Sequence, residues 1–252
     1  MNWIRNLNIR AKLLLMASLP ILALLWFSGT VTVEKWRVAN EMNGLRQLAA
    51  LSVQLGGAAH ELQKERGMSA GFIASGGTKF AGELPGQRQA TDARVDSLKS
   101  FLTHFDTARF DKRLGESLNG GLEQLDQLAG KRQGISGLNL AQGEAVAYYT
   151  KTISSLLALV DRIATLSTDS DIAPQAGAYS SLPKAKEHAG IERALLTGAF
   201  AADRIAPGAF ARFIGNSATH DAWLAEFNAY AQTERSALLE ARMRDDVVAE
   251  TA

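Results

Sequence analysis

The sequence predicts an all-α fold: a bundle of long helices built from two related helical hairpins, preceded by one transmembrane helix. Three observations carry this. Only five prolines interrupt 252 residues. No run of β-branched residues alternates with polar ones in the way a half-buried strand requires. Residues 13–33 contain no charged side chain, and at roughly 1.5 Å of rise per residue such a run is about long enough to cross the hydrocarbon core of a membrane.

The chain begins with this apolar element. Arg5, Arg10 and Lys12 precede it and Glu34, Lys35 and Arg37 follow it. The positive excess lies on the N-terminal side, so that side is expected in the cytoplasm and the rest outside. Residues 1–12 are accordingly expected as a cytoplasmic tail, 13–33 as the membrane helix and 34–252 as the part outside the cytoplasm. A cleaved signal peptide is the competing reading, but the run exceeds a usual apolar signal core and lacks a clear small-x-small site near its end. Pro20 is tolerable within a membrane helix, where it predicts a mild kink.

Beyond Glu34 the pattern is amphipathic and helical, with breaks expected at Ser75-Gly76-Gly77, at Pro85-Gly86, over residues 134–139, over residues 169–174 and at Pro207-Gly208. These leave about six helices, the first continuous with the membrane run through Trp36 to Ala74. An internal echo accompanies them. Glu65-Arg66-Gly67-Met68-Ser69-Ala70-Gly71-Phe72 aligns with Glu192-Arg193-Ala194-Leu195-Leu196-Thr197-Gly198-Ala199, each acid–arginine pair leading into small residues. Downstream, Phe80 matches Phe210, and Ala90-Thr91-Asp92-Ala93 matches Thr219-His220-Asp221-Ala222. Glu65 stands 127 residues before Glu192 and Asp92 stands 129 before Asp221. That drift is what a loop insertion produces between two related hairpins. Chance likeness in an alanine-rich helical chain is the alternative. The last helix is still amphipathic when the sequence stops, which reads as a fragment of a receptor lacking a second membrane helix and an output module.

Composition narrows function. Lys and Arg total 27 against 26 Asp and Glu, a net charge of +1 that gives no basic field to recruit nucleic acid. There is no cysteine, which excludes disulfides, thiolate metal sites and cysteine nucleophiles. His60, His104, His188 and His220 lack metal-ligand spacing, so no metal or other cofactor is expected. No phosphate loop, nucleophile elbow or credible acid–base pair is present, so no enzyme activity is expected.

The informative residues are two arginines. Leu55, Ala59, Leu62, Arg66, Ser69 and Ile73 recur at helical spacing, placing Arg66 on a core-type stripe where it must find a partner. Leu182, Lys186, Ala189, Arg193, Leu196 and Phe200 repeat that spacing, while Ile191, Leu195, Gly198, Ala202 and Ile205 define a rival stripe that turns Arg193 outward. The pattern leaves both phases open. Inward arginines would be satisfied by a bound anion or by carboxylates such as Glu65, Glu187 or Glu192. A planar oxyanion suits the coplanar donors of a guanidinium better than an ammonium. Outward arginines paired with neighbouring glutamates are the bland alternative.

The run His60-Glu61-Leu62-Gln63-Lys64-Glu65-Arg66-Gly67-Met68-Ser69-Ala70-Gly71, with Gln87-Arg88-Gln89-Ala90-Thr91-Asp92, resembles the opening signature of the nitrate- and nitrite-sensing (NIT) family. Lys186-Glu187-His188-Ala189-Gly190-Ile191-Glu192-Arg193-Ala194 resembles its second signature, and Tyr148-Tyr149 through Leu157 its connecting helix. The resemblance implies a bundle of long helices that serves as the input region of chemoreceptors, histidine kinases or antiterminators and binds nitrate or nitrite through arginines. By motif, Arg66 and Arg193 are the expected ligand residues; by position, Ser69 and Thr197 are secondary candidates as hydroxyl donors one turn on and Tyr148 or Tyr149 for closing the site, with plain packing as the alternative for each. Arg88 is a possible structural partner. Where the family can show consecutive arginines, this chain has Lys64-Glu65-Arg66, so a second arginine there is absent. A homodimeric chemoreceptor is the output the resemblance favours. The alternatives are the input domain of a histidine kinase and a helical interaction scaffold without a small ligand.

Overall fold

The computed structural model describes residues 8–166, 173–201, 204–205, 207–231 and 233–243. They are all-α, with no strand among them. The first helix, α1, is Ile9–Ala74. Its early part belongs to one compact unit, residues 1–47, and its remainder to a second, residues 48–252. In the first unit the helix passes Pro20 without interruption, and Leu14, Leu19, Leu25 and Trp26 are each more than 60% exposed. It is long and apolar enough to cross a membrane. Such exposure is the cost-free state in lipid and an unfavourable one in water.

In the second unit the apolar stripe of α1 reads as the sequence predicts. Leu48, Leu51, Leu55, Ala59 and Leu62 are buried, three to four residues apart. They pack against α2 (Leu84–Leu102), α3 (Lys112–Asp126), α4 (Leu128–Ser136) and α5 (Gln142–Thr165) in one apolar core. Each leucine fully withdrawn from water contributes roughly 1.5–3 kcal/mol. On α5, Tyr149, Ile153, Leu156 and Val160 face this core at the same spacing.

Several helix boundaries depart from expectation, the division of α3 from α4 at Gln127 among them. Pro85 and Gly86 do not break the chain but lie in the first turn of α2, where proline lacks only a donor that no helix would use. Conversely, residues 103–111 separate α2 from α3 without a glycine or proline. Asp111 starts α3 there, its carboxylate accepting from the Arg113 backbone N–H at 3.0 Å, an N-cap.

Helices α6 (Ala173–Ala201) and α7 (Ala209–Tyr230) form a second hairpin, followed by α8 (Thr233–Met243). The expected break over residues 169–174 falls mostly outside the described residues. α1–α2 and α6–α7 are thus the two hairpins that the internal echo predicts. Their turns differ. The first enters left-handed backbone at Gly76, Gly77 and Phe80 (φ 63°, 86° and 63°), the second at Gly208 (φ 74°). Gly71 belongs to the first turn's packing, because a Cβ on it would lie 2.5 Å from the Phe80 ring.

Candidate functional site

Glu65 and Arg66 are neighbours on α1 and therefore point about 100° apart around it. Each is essentially inaccessible to water, and each is held by a different part of the bundle. The carboxylate of Glu65 accepts from Arg132 Nε at 2.7 Å, from Arg132 Nη2 at 2.8 Å and from the Tyr149 hydroxyl at 2.8 Å. Arg132 also reaches Asp92 at 2.6 Å and the Arg88 carbonyl at 3.2 Å. Arg88 in turn donates to Ser136 Oγ at 2.8 Å. This is a network binding α1, α2, α4 and α5 together, and Arg88 takes the structural part expected of it.

The electrostatics follow from burial. Burial works against the charged form of Glu65, but the hydrogen bonds and charge of Arg132 overcome it and hold the carboxyl below its ordinary range. Burial, with the adjacent Glu65 charge, pushes the Tyr149 hydroxyl far up. Burial also raises Tyr148 to about 12, and its hydroxyl donates to the Gln124 carbonyl at 2.7 Å. A carboxylate with a depressed folded-state pKa contributes stability that is present above its unfolded pKa and lost as pH falls through the folded value. The melting temperature is therefore expected to hold from neutral pH down to about 5 and to fall below roughly pH 4.3, the ordinary value for glutamate. Glu65→Gln should flatten that acid limb. An unchanged limb in the folded variant, followed by circular dichroism, would assign acid unfolding to other groups.

Arg66 turns toward α5 and α6. Its Nη1 donates to Thr150 Oγ1 on α5 at 2.9 Å and pairs with Glu187 on α6, while Nη2 reaches Glu187 Oε2 at 3.2 Å. Glu187, itself 5% exposed, also accepts from the Gln63 amide at 2.8 Å. Gly190 permits this approach, since a Cβ there would stand 2.9 Å from Arg66 Nη2. Arg66 Nε is buried and makes no hydrogen bond among the described residues, nor does the hydroxyl of fully buried Ser69.

The guanidinium of Arg66 forms part of the wall of a cleft of about 810 Å³ between α5, α6 and α7. Val146, Ile191 and Leu195 make the wall largely apolar, and Lys151, Arg204 and Arg212 add positive charge. No carboxylate pairs with these three cations among the described residues. The cleft thus offers one desolvated planar cation, a hydroxyl beside it and three further cations, a set suited to a small anion.

The other expected ligand residues lie elsewhere. Arg193 is exposed and Thr197 half-buried, and neither lines the cleft. The stripe that turns Arg193 outward is the one the fold adopts, with Ile191 and Leu195 on the cleft side. Arg193 instead adds to a surface field with Lys186, Lys64 and His60. Burial and these neighbouring charges lower the pKa values of His60 and Lys186, whose Nδ1 and Nζ are 2.8 Å apart. Ser69 lies one turn beyond Arg66, fully buried, and does not line the cleft. Gln63, Thr150 and Lys151 lie inside the quoted signatures, but nothing in their spacing marks them as site residues, and Arg204 and Arg212 carry no signal in the sequence; each gains its place only through packing. Among the described residues no group of histidines and carboxylates could hold a metal ion.

Comparison with known proteins bears on the family and the fold. A family model described as nitrate and nitrite sensing matches residues 57–252. The nitrate regulatory protein of Klebsiella oxytoca is 31% identical over 173 residues, covering 68% of this chain and 42% of that protein. The solved structure of the NasR transcription antiterminator superposes with a TM-score of 0.78 at 26% identity, over 88% of this chain and 59% of that one. The chain spans about half the length of these two relatives. It belongs to the nitrate- and nitrite-sensing (NIT) family.

Proposed function

We propose that this chain is the ligand-sensing region of a bacterial transmembrane receptor, a chemoreceptor, which binds nitrate or nitrite at Arg66 within the cleft between α5, α6 and α7. The observation that carries the proposal is a guanidinium 1% exposed that nevertheless lines an open cleft. Glu187 answers its charge from α6, and the same coplanar donors match two oxygens of a trigonal anion. Lys151, Arg204 and Arg212 draw the anion in by their field. Arg193, Thr197 and fully buried Ser69 lie outside the lining and take no direct part in this proposal.

The receptor part of the proposal rests on the N-terminus. Residues 13–33 serve as the membrane anchor, 1–12 as a cytoplasmic tail and 34–252 as a sensor domain in the periplasm, an arrangement supported by the apolar run and the placement of Arg5, Arg10 and Lys12. Homodimerisation belongs to the same proposal by analogy with receptors of this type. Nucleic acid has no part in it, given the net charge of +1. The relatives, a nitrate regulatory protein and a transcription antiterminator, favour a second reading in which the same cleft serves an intracellular regulator.

Calorimetric titration of the detergent-solubilised chain with nitrate, nitrite, chloride and sulfate tests the site. Saturable binding of nitrate or nitrite is expected, weakened at least 100-fold by Arg66→Ala, a difference of about 2.7 kcal/mol, and less than about threefold by Arg193→Ala. Equal binding by wild type and Arg66→Ala would remove Arg66 from the site. A large loss with Arg193→Ala would place the anion against α6's outer face.

A further inference from the structure

We infer that Glu187 is an internal competitor for the anion site: its carboxylate occupies the terminal donors of Arg66, and an incoming oxyanion must take its place. The inference rests on the reading that Arg66 binds the ligand. Both terminal nitrogens of Arg66 are engaged by Glu187, Nη1 with Oε1 and Nη2 with Oε2, in the two-pronged geometry that a trigonal oxyanion would itself adopt. A guanidinium so paired has its charge already answered, and a second anion beside it would meet a carboxylate across a few ångströms of weakly screened interior. Exchange relieves that repulsion.

The surroundings suit exchange. Arg66 lines the cleft while Glu187 does not, so the anion arrives on one side of the guanidinium and the carboxylate withdraws on the other. The Gln63 amide, which donates to Glu187 Oε2 at 2.8 Å, steadies the carboxylate in its blocking position. Thr150 Oγ1, accepting from Arg66 Nη1 at 2.9 Å, keeps the guanidinium in place throughout. Exchange also breaks a contact between helices, because Gln63 and Arg66 lie on α1 and Glu187 on α6. The anion therefore favours an arrangement in which α6 is no longer clasped to α1, the unequal affinity for two states that any ligand-driven change requires. Glu187 sets both the threshold concentration and the movement.

The test compares wild type, Glu187→Gln and Gln63→Leu, each the full chain in detergent, by calorimetric titration with sodium nitrate and by melting temperature with and without nitrate. Glu187→Gln should bind nitrate at least tenfold more tightly than wild type, and nitrate should raise its melting temperature by more. Gln63→Leu, which keeps the carboxylate but removes the group that steadies it, should bind about two- to fivefold more tightly. If wild type binds nitrate and Glu187→Gln binds it no better, the competitor role is wrong while Arg66 remains the site. If Glu187→Gln does not fold, Gln63→Leu decides, and binding no tighter than wild type overturns the inference. Binding by none of the three overturns the oxyanion site itself, and the inference with it.

Discussion

Arg66→Ala is expected to lower the unfolding free energy by about 3–5 kcal/mol, the cost of leaving one member of a buried ion pair without its partner. Glu187 would remain at 5% exposure with only the Gln63 amide as a donor. The loss of the guanidinium would also leave a void beside Gly190, since Arg66 heads the fully buried side chains by volume. The measurement is chemical denaturation of wild type, Arg66→Ala and the double variant Arg66→Met/Glu187→Leu. Apolar replacement of a whole buried pair is often neutral or stabilising, so the double variant should recover most of the loss while binding no nitrate. A loss under about 1 kcal/mol for Arg66→Ala would show that water reaches Glu187 easily, and the pair would then be a surface contact in energetic terms.

The second large effect is expected at Arg132. Its side chain is 13% exposed while that of Glu65 is 0% exposed, so the arginine can be lost to solvent more cheaply than the carboxylate can be left behind. Arg132→Ala should cost about 3 kcal/mol, or about 6–12 °C in melting temperature for a chain of this size. Tyr149 would still donate to Glu65, and Arg88 Nε, at 3.9 Å, stands close enough to move in. Arg132→Lys tests geometry separately from charge, since an ammonium cannot reproduce the paired Nε and Nη2 bonds to one carboxylate. Equal stability for Arg132→Lys and wild type would make charge alone sufficient.

What the sequence made legible was local. The 3–4 spacing of Leu55, Ala59, Leu62, Arg66 and Ser69 placed Arg66 in the interior, and all five are buried. The internal echo pointed to the two hairpins through its repeated acid–arginine pair and small residues, although the turns that close them differ. The α2–α3 break went unseen because Asp111, an exposed cap, does its work through one side-chain oxygen and leaves no glycine or proline. The partner of Glu65 was out of reach for a different reason. Arg132 is 67 residues away, and nothing in the pattern around it separates a network arginine from a solvated one. Arg193 was ambiguous because two apolar stripes overlap on α6, and the choice between them is made by packing.

The adjacency of Glu65 and Arg66 has a consequence for how the molecule breathes. One residue rivets α1 into the apolar core with α2, α4 and α5. The next fastens it to α6, which together with α7 contributes nothing to that core among the described residues. The hairpin is therefore expected to open at lower free energy than that core, which native-state hydrogen exchange would read as earlier loss of protection on α6 and α7. Because the cleft lies along that seam, its opening draws on movement of the hairpin and leaves the apolar core packed. Selection could then retune sensitivity by softening or hardening the hairpin, without altering a single residue of the core.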